Sequence, residues 1–298
     1  LVKLAVNYSQ AAADLLEGGR IAFDMWKCPA WPDLIAAASQ RLPVYVHLPL
    51  NLGAGIGDAV DGESGRPADW ERIEALVAQT RTPLINVHLS PPDDAHPDIP
   101  PDSADPAHVE RVARDLARDL CAVVARCGAD RVIAENGGLQ FHAALWPDVI
   151  RRVIEEAGCD FLLDITHVRL AANSLGMEEW AYLSALPLER TREIHVSGVQ
   201  MYEGEWVARA RRAGVGEAFI RRYAGGLLDH LPMTEEDWAL TERALARVCG
   251  PGGASPGKVW VVSLEYGGVG PWFESVTDAD ALADAVPRLA ALVRAIDK

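Results

Sequence analysis

The sequence predicts a (β/α)8 TIM barrel in a single domain, and three observations carry that expectation. Eight short runs rich in Val, Ile and Leu recur along the 298 residues. They lack clean period-2 alternation, as strands covered on both faces of a parallel sheet do. Amphipathic helical stretches lie between them, and the length suits one large barrel. An open doubly wound sheet is the competing arrangement.

The elements follow in order. KLAVNYS (3–9) is the first strand and 10–18 a short helix; IAFDMWK (21–27) is the second strand, followed by a helix over 30–40. VYVHLPL (44–50) and LINVHLS (84–90) are the third and fourth strands. The Pro- and Asp-rich segment 90–106 is a loop. Residues 107–126 set Val109, Val112, Leu116, Leu120 and Val123 on one helical stripe, with Asp105 as cap and Pro106 at the first position. RVIAENG (131–137), FLLDITH (161–167), EIHVSG (193–198) and VWVVSLEYGG (259–268) complete the strands, and 147–157 and 278–296 are further helices. The domain is expected to span 1–298, with a long insertion at about 199–257 between strands seven and eight.

Composition narrows the function. Hydrophobic residues make up 49%, enough for a large core, and the net charge of -15 opposes binding to nucleic acid or anionic membranes. The five cysteines show no CxxC spacing, so they read as reduced thiols of a cytoplasmic protein. No apolar run approaches the ~20 residues of a membrane span. The opening LVKLAVNYS is too short and polar for a signal peptide.

The strand ends carry the chemistry. His47, His88, Glu135, Asp164 with His167 three residues on, His195 and Glu265 all fall there. In a barrel these positions converge on the C-terminal mouth. A buried carboxylate is costly unless paired or metal-bound, so the set reads as metal ligands. Asp229 and His230 in LLDHLP are further candidate ligands; the alternative is a turn before a helix capped by Thr234 and supported by Asp237. Imidazoles and carboxylates without thiolate suit Fe, Zn or Mn. Six or seven donors exceed one tetrahedral ion, so two or three divalent ions are expected.

Glu135, His167 and Glu265 are the expected catalytic residues. Asn136, Asn173 and Trp26 are candidates for substrate binding. So are Arg211 and Arg212, which belong to a basic island with Arg209, Arg221 and Arg222 that can dock an acidic substrate or partner. His96, His108 and His142 fall in loop or helix segments and are expected to be solvated. Lysine is scarce, and Lys27 alone follows a strand end, which weighs against a lysine-assisted sugar isomerase.

The order His, His, Glu, Asp-x-x-His, His, Asp/His, Glu resembles the xylose-isomerase-like TIM-barrel superfamily. Endonuclease IV shows that order with three metals, and sugar isomerases and epimerases keep a reduced version. FLLDITHVRLAANSLG, REIHVSG, GLLDHLPMTEEDWAL and VVSLEYGGVGP are similar to a narrower group, the multinuclear-iron family that includes the methanobactin-maturation oxygenase. That resemblance implies His47, His88, Glu135, Asp164, His167, His195 and Glu265 as ligands. It also implies iron-dependent oxidation of cysteine residues in small peptides, often delivered by a partner protein. Where the family has Asp-x-His, this chain has adjacent Asp229 and His230. The expected function is a metal-dependent enzyme acting on a small polar molecule or peptide. The alternatives are a sugar isomerase or epimerase, an endonuclease IV-like phosphodiesterase, and a non-catalytic metal-binding module.

Overall fold

The computed structural model describes residues 1–139 and 141–296; Gln140, Asp297 and Lys298 lie outside the described residues. The strands are Lys3–Asn7 (β1), Met25–Pro29 (β2), Val44–His47 (β3), Leu50–Asn51 (β4), Val60–Asp61 (β5), Ile85–His88 (β6), Val132–Glu135 (β7), Asp160–Asp164 (β8), Thr191–Val196 (β9), Gly198–Met201 (β10), Leu227–Leu231 (β11) and Val261–Leu264 (β12). Ten of them form one sheet in the order β3-β2-β1-β12-β9-β8-β7-β6-β4-β5. Neighbours are parallel throughout except for β4 with β5.

The two ends of this sheet belong to one stretch of chain. β3 ends at His47 and β4 begins at Leu50, so the sheet curls until it meets itself. Side chains close the seam between β3 and β6. Leu48 N–H donates to Asn86 Oδ1 (2.8 Å), the Asn86 amide donates back to the Leu48 carbonyl (3.0 Å), and Val46 N–H donates to Thr82 Oγ1 (2.9 Å). The fold is therefore the TIM barrel the sequence predicts, and the open sheet is excluded.

Two apolar layers fix which way each side chain points. Ala5, Met25, Tyr45 and Val261 form one buried cluster inside the barrel, and Leu84, Ile133 and Leu162 another. Their strand neighbours Val6, Trp26, Val46, Ala134, Leu163 and Val262 belong to the large shell shared with the helices. Strands alternate faces, so these clusters set the inward register for the positions above them.

Helices Pro106–Cys127 and Pro147–Ala157 lie where the periodicity places them, and Asp105 caps the first by accepting from Ala107 N–H. The second strand is displaced: residues 21–24 approach it and Met25–Pro29 form it. Helix Trp70–Thr80, capped by Asp69, was not anticipated. Between β9 and β12 the chain forms the antiparallel ribbon β10–β11, helices Glu205–Arg212 and Glu217–Tyr223, and helix Glu235–Cys249. Thr234 and Asp237 close a capping box on the last of these, as read from the sequence. No described helix is long and apolar enough to cross a membrane.

Candidate metal centre

Counting by twos from the inner clusters generates the site. The next inward position is Asn7 above Ala5, Lys27 above Met25, His47 above Tyr45, Glu135 above Ile133 and Asp164 above Leu162. Register brings in the others, since His88 pairs with Glu135 and Asp164 with His195. Glu265 directly follows β12. The chemistry-bearing residues thus form one layer across the mouth.

Glu135 stands at its centre. Its Oε2 lies 3.3 Å from His88 Nε2 and 3.6 Å from His47 Nε2; its Oε1 lies 3.5 Å from His167 Nδ1 and 3.9 Å from His195 Nδ1. His195 Nδ1 is 3.1 Å from Glu265 Oε1, and the Lys27 ammonium pairs with that same oxygen. Three overlapping groups have the spacing to hold an ion: His47, Glu135 and His195; Glu135, Asp164 and His167; Asp164, His195 and Glu265.

Local structure explains the Asp-x-x-His spacing. Asp164 ends β8 and caps helix Ile165–Leu175: its Oδ1 accepts the His167 backbone N–H at 2.9 Å. That hydrogen bond sets His167 on the first helical turn, beside the cap. His167 Nε2 then meets Asp229 Oδ2 at 3.3 Å. Adjacent strand residues normally face opposite ways, yet Asp229 and His230 both reach the mouth. The β10–β11 register slips there, and His230 adopts φ +55°, a left-handed conformation that turns its ring inward.

Four histidines are held by their outer nitrogens. His88, His167 and His230 donate Nδ1–H to the carbonyls of Leu50 (3.1 Å), Asn136 (2.8 Å) and Glu265 (2.6 Å). His195 donates Nε2–H to Glu193 Oε1 at 2.8 Å. The second nitrogen of each ring is left facing the layer, which is how metal-binding histidines are oriented. Two buried carboxylate atoms, Glu135 Oε2 and Asp164 Oδ2, have no hydrogen-bond partner among the described residues. Inward lone pairs together with orphaned carboxylate oxygens fit divalent cations.

Electrostatics divide the histidines. Burial holds His47, His88 and His230 below the usual histidine range, so they are neutral, as ligands must be. Burial alone would raise Glu135, but its histidine neighbours, His88 foremost, hold it well below the carboxylate range. Burial would lower His167, but Asp164, Asp229 and Glu135 outweigh it and push it up to about 10. Burial pushes Lys27 down to about 8, against the pull of Glu135, Glu193 and Asp164.

Several expected substrate contacts lie elsewhere. Trp26 is fully buried on the outer face of β2, packed edge-on against Tyr8 and Phe23; its neighbour Lys27 is the one that faces the mouth. Asn136 spends its side chain on the backbone of Asp164, donating to the carbonyl (3.0 Å) and accepting from N–H (2.9 Å). Arg211 pairs with Glu217, Arg212 with Glu205 and Arg222 with Asp93, so these arginines already have carboxylate partners. His96 is buried and hydrogen-bonded to the Gly53 carbonyl, contrary to the expected solvation. Lys27 and Glu193 are the site residues that sequence reasoning missed. Lys27 was legible as an inward position two residues after Met25, and Glu193 as one two residues before His195.

His47, His88, Glu135, His167, Asp229, His230 and Glu265 line a cavity of about 440 Å³. Trp31 and Glu63 meet at its rim through a 2.7 Å hydrogen bond, and Tyr8, Val269 and Phe273 supply apolar wall. A larger cavity of about 720 Å³ contains none of the donors and takes in Asn173, Arg222 and Tyr223. A third, of about 170 Å³, shares His167, Asp229 and His230 with the mouth and Leu139 and Tyr223 with the larger cavity.

A closed parallel barrel with this donor layer at its mouth defines a TIM-barrel protein whose mouth has the spacing to hold metal ions. The fold matches a xylose isomerase domain containing protein from Salmonella typhimurium LT2, with a TM-score of 0.52 at 14% identity over 98% of this chain and 97% of the other. Residues 27–248 match the family described as "RiPP precursor modification enzyme MbnB/TglH/ChrH", and the chain belongs to that family. A UPF0276 protein of Caulobacter vibrioides is 27% identical over 221 residues, 72% of this chain and 69% of the relative. Another, from Caulobacter sp. K31, is 30% identical over 156 residues, 51% of this chain and 49% of the relative.

Proposed function

We propose that this chain is a metal-dependent enzyme that modifies a peptide, with its ions held at the barrel mouth. The observation that carries the proposal is the orphaned Glu135 oxygen within 3.6 Å of the inward ring nitrogens of His47 and His88, beside a second orphaned carboxylate oxygen on Asp164. His47, His88 and Glu135 would hold one ion, and His167, Asp229 and His230 another. Such ions supply Lewis-acid activation, and iron adds the redox capacity that oxidation of a cysteine thiol requires.

The chain's own residues do the rest. Glu135, His167 and Glu265 face the cavity and are the side chains that meet the reacting group. The Trp31–Glu63 contact and Phe273 narrow access for water. The adjoining cavities beyond His167 and Tyr223 offer room for residues flanking the reacting one, which favours a peptide over a small polar molecule. A partner protein that presents the peptide fits the same reading. The free cysteines suit a reducing compartment such as the cytoplasm.

The test is anaerobic reconstitution with Fe, Zn or Mn, elemental analysis, and mass spectrometry of a cysteine-containing peptide after exposure to oxygen. A metal content below about half an equivalent per chain with every metal sinks the proposal. One observation favours a second reading: Lys27 stands in the mouth, where a sugar isomerase would place its lysine. Deuterium wash-in from solvent at the carbon next to a sugar carbonyl, with no change to peptides, would select it.

A further inference from the structure

We infer that the Lys27 ammonium takes the place of a metal ion at the Asp164–His195–Glu265 group, so that this chain holds two divalent ions where its donors could accommodate three. The inference rests on the metal-centre reading above and fixes its number of ions.

The donor groups at the mouth are unequal in their chemistry: the group of His47, Glu135 and His195 meets the Lys27 ammonium through one donor, His195, and the group of Asp164, His195 and Glu265 meets it through two. His47, His88 and Glu135 contain no cation. His167, Asp229 and His230 contain none besides the imidazoles themselves. The group of Asp164, His195 and Glu265 does contain one. The Lys27 ammonium is paired with Glu265 and lies 3.4 Å from His195 Nδ1, so it approaches two of that group's three donors. Lys27 is 4% exposed and cannot swing out to water as a surface lysine would. It comes from β2, so its backbone is fixed by two parallel ladders, to β1 and β3. A divalent ion bound to Glu265 and His195 would have to share their inward atoms with this ammonium, and like charges at that separation repel strongly in a poorly solvated site.

Charge balance points the same way. Glu135, Asp164, Glu193, Asp229 and Glu265 bring five carboxylates to the layer and the position just below it. Two divalent cations and one ammonium balance those five charges. Three divalent cations together with the ammonium would leave an excess of positive charge among largely buried side chains, where unbalanced charge is costly.

The test counts ions. Wild type and Lys27→Met, which keeps the length of the side chain and removes its charge, are reconstituted anaerobically with excess Fe(II) or Zn(II), desalted and measured for metal per chain. The expected result is about two equivalents for wild type and about three for Lys27→Met, following the release of one donor group. Equal stoichiometry in the two proteins, or three equivalents in wild type, overturns the inference while leaving the metal centre standing. Absence of bound metal in both overturns the metal-centre reading as well. Should Lys27→Met fail to fold, anomalous diffraction from zinc-grown wild-type crystals decides the matter. Peaks beside His88 and beside His230 with none bonded to Glu265 support the inference, and a peak joining His195 to Glu265 refutes it.

Discussion

Replacing Asp119 by Ala should destabilise the protein by about 2–4 kcal/mol through a loop that borders the mouth. Asp119 lies on helix Pro106–Cys127 and is fully buried. Its Oδ2 accepts the backbone N–H groups of Gly53 and Gly55, each at 2.9 Å, and its Oδ1 that of Gly57 at 2.7 Å. Alternate residues can aim their N–H groups at one carboxylate because these three glycines adopt φ of +102°, +70° and +72°. The loop leaves β4, whose Leu50 carbonyl orients His88, and runs on to Glu63 at the cavity rim. The Gly53 donor is buried, so its loss of a partner costs about 1–3 kcal/mol; Gly55 and Gly57 are half-buried and rehydrate, at about 0.5–1.5 kcal/mol each. Removing a carboxylate whose burial raises its pKa returns part of that total. Asp119→Asn keeps one oxygen for the Gly53 and Gly55 donors but sets an amide N–H₂ against Gly57, for about 1–2 kcal/mol. Urea unfolding with unchanged slope measures both variants. An Ala variant within about 0.5 kcal/mol of wild type, or an Asn variant no better than Ala, would refute the reasoning.

Glu135→Gln should lose more metal on desalting than Asp229→Asn, because Glu135 touches four histidines and Asp229 lies against two; equal retention contradicts the central position of Glu135. Glu193→Ala should weaken metal affinity about 10–100-fold by releasing His195, and a chelator competition showing no change would remove Glu193 from the site. Duplex DNA containing an abasic site should not bind below micromolar concentration at physiological salt, given the net charge of -15, and a tight complex would restore the phosphodiesterase reading.

The barrel and most of the donor layer were legible because both depend on strand ends, and a buried strand ending on Asp or Glu is conspicuous in sequence. The face of a strand was harder to read where both faces are apolar. In β2, Trp26 and Lys27 differ by one position, and a one-residue error turns a core tryptophan into a pocket residue. Asn136 was misread because its partners are backbone atoms 28 residues away, which no local pattern shows. In the arginine island, Arg222 finds Asp93 across 129 residues, which no local pattern shows, whereas the partners of Arg211 and Arg212 lie only six and seven residues away. Alternating glycines at 53, 55 and 57 are visible in the sequence, but their common acceptor is a helix residue that only the fold brings near.

Asp229 and His230 show how the site departs from its own rule. The strand-borne donors at the mouth follow the period of a strand, and His167 follows the first turn of a helix. An Asp-x-His pair on β11 would place both side chains on one face with no distortion. Adjacent residues cannot, so the ribbon slips its register between Gly198 and Gln200, and His230 enters the left-handed region. A non-glycine residue there costs about 1–3 kcal/mol and persists only when its surroundings hold it. The surroundings do so at two points: the His230 backbone N–H donates to Ser197 Oγ at 3.1 Å, and its ring donates to the Glu265 carbonyl at 2.6 Å. The second contact ties β11 to the chain just beyond β12, so the imidazole that breaks the strand period is anchored to the backbone of the carboxylate paired with Lys27. Strain that the neighbouring structure sustains, and that aims a neutral imidazole at the half-buried Asp229 carboxylate, is better explained by the chemistry of the mouth than by the stability of the ribbon.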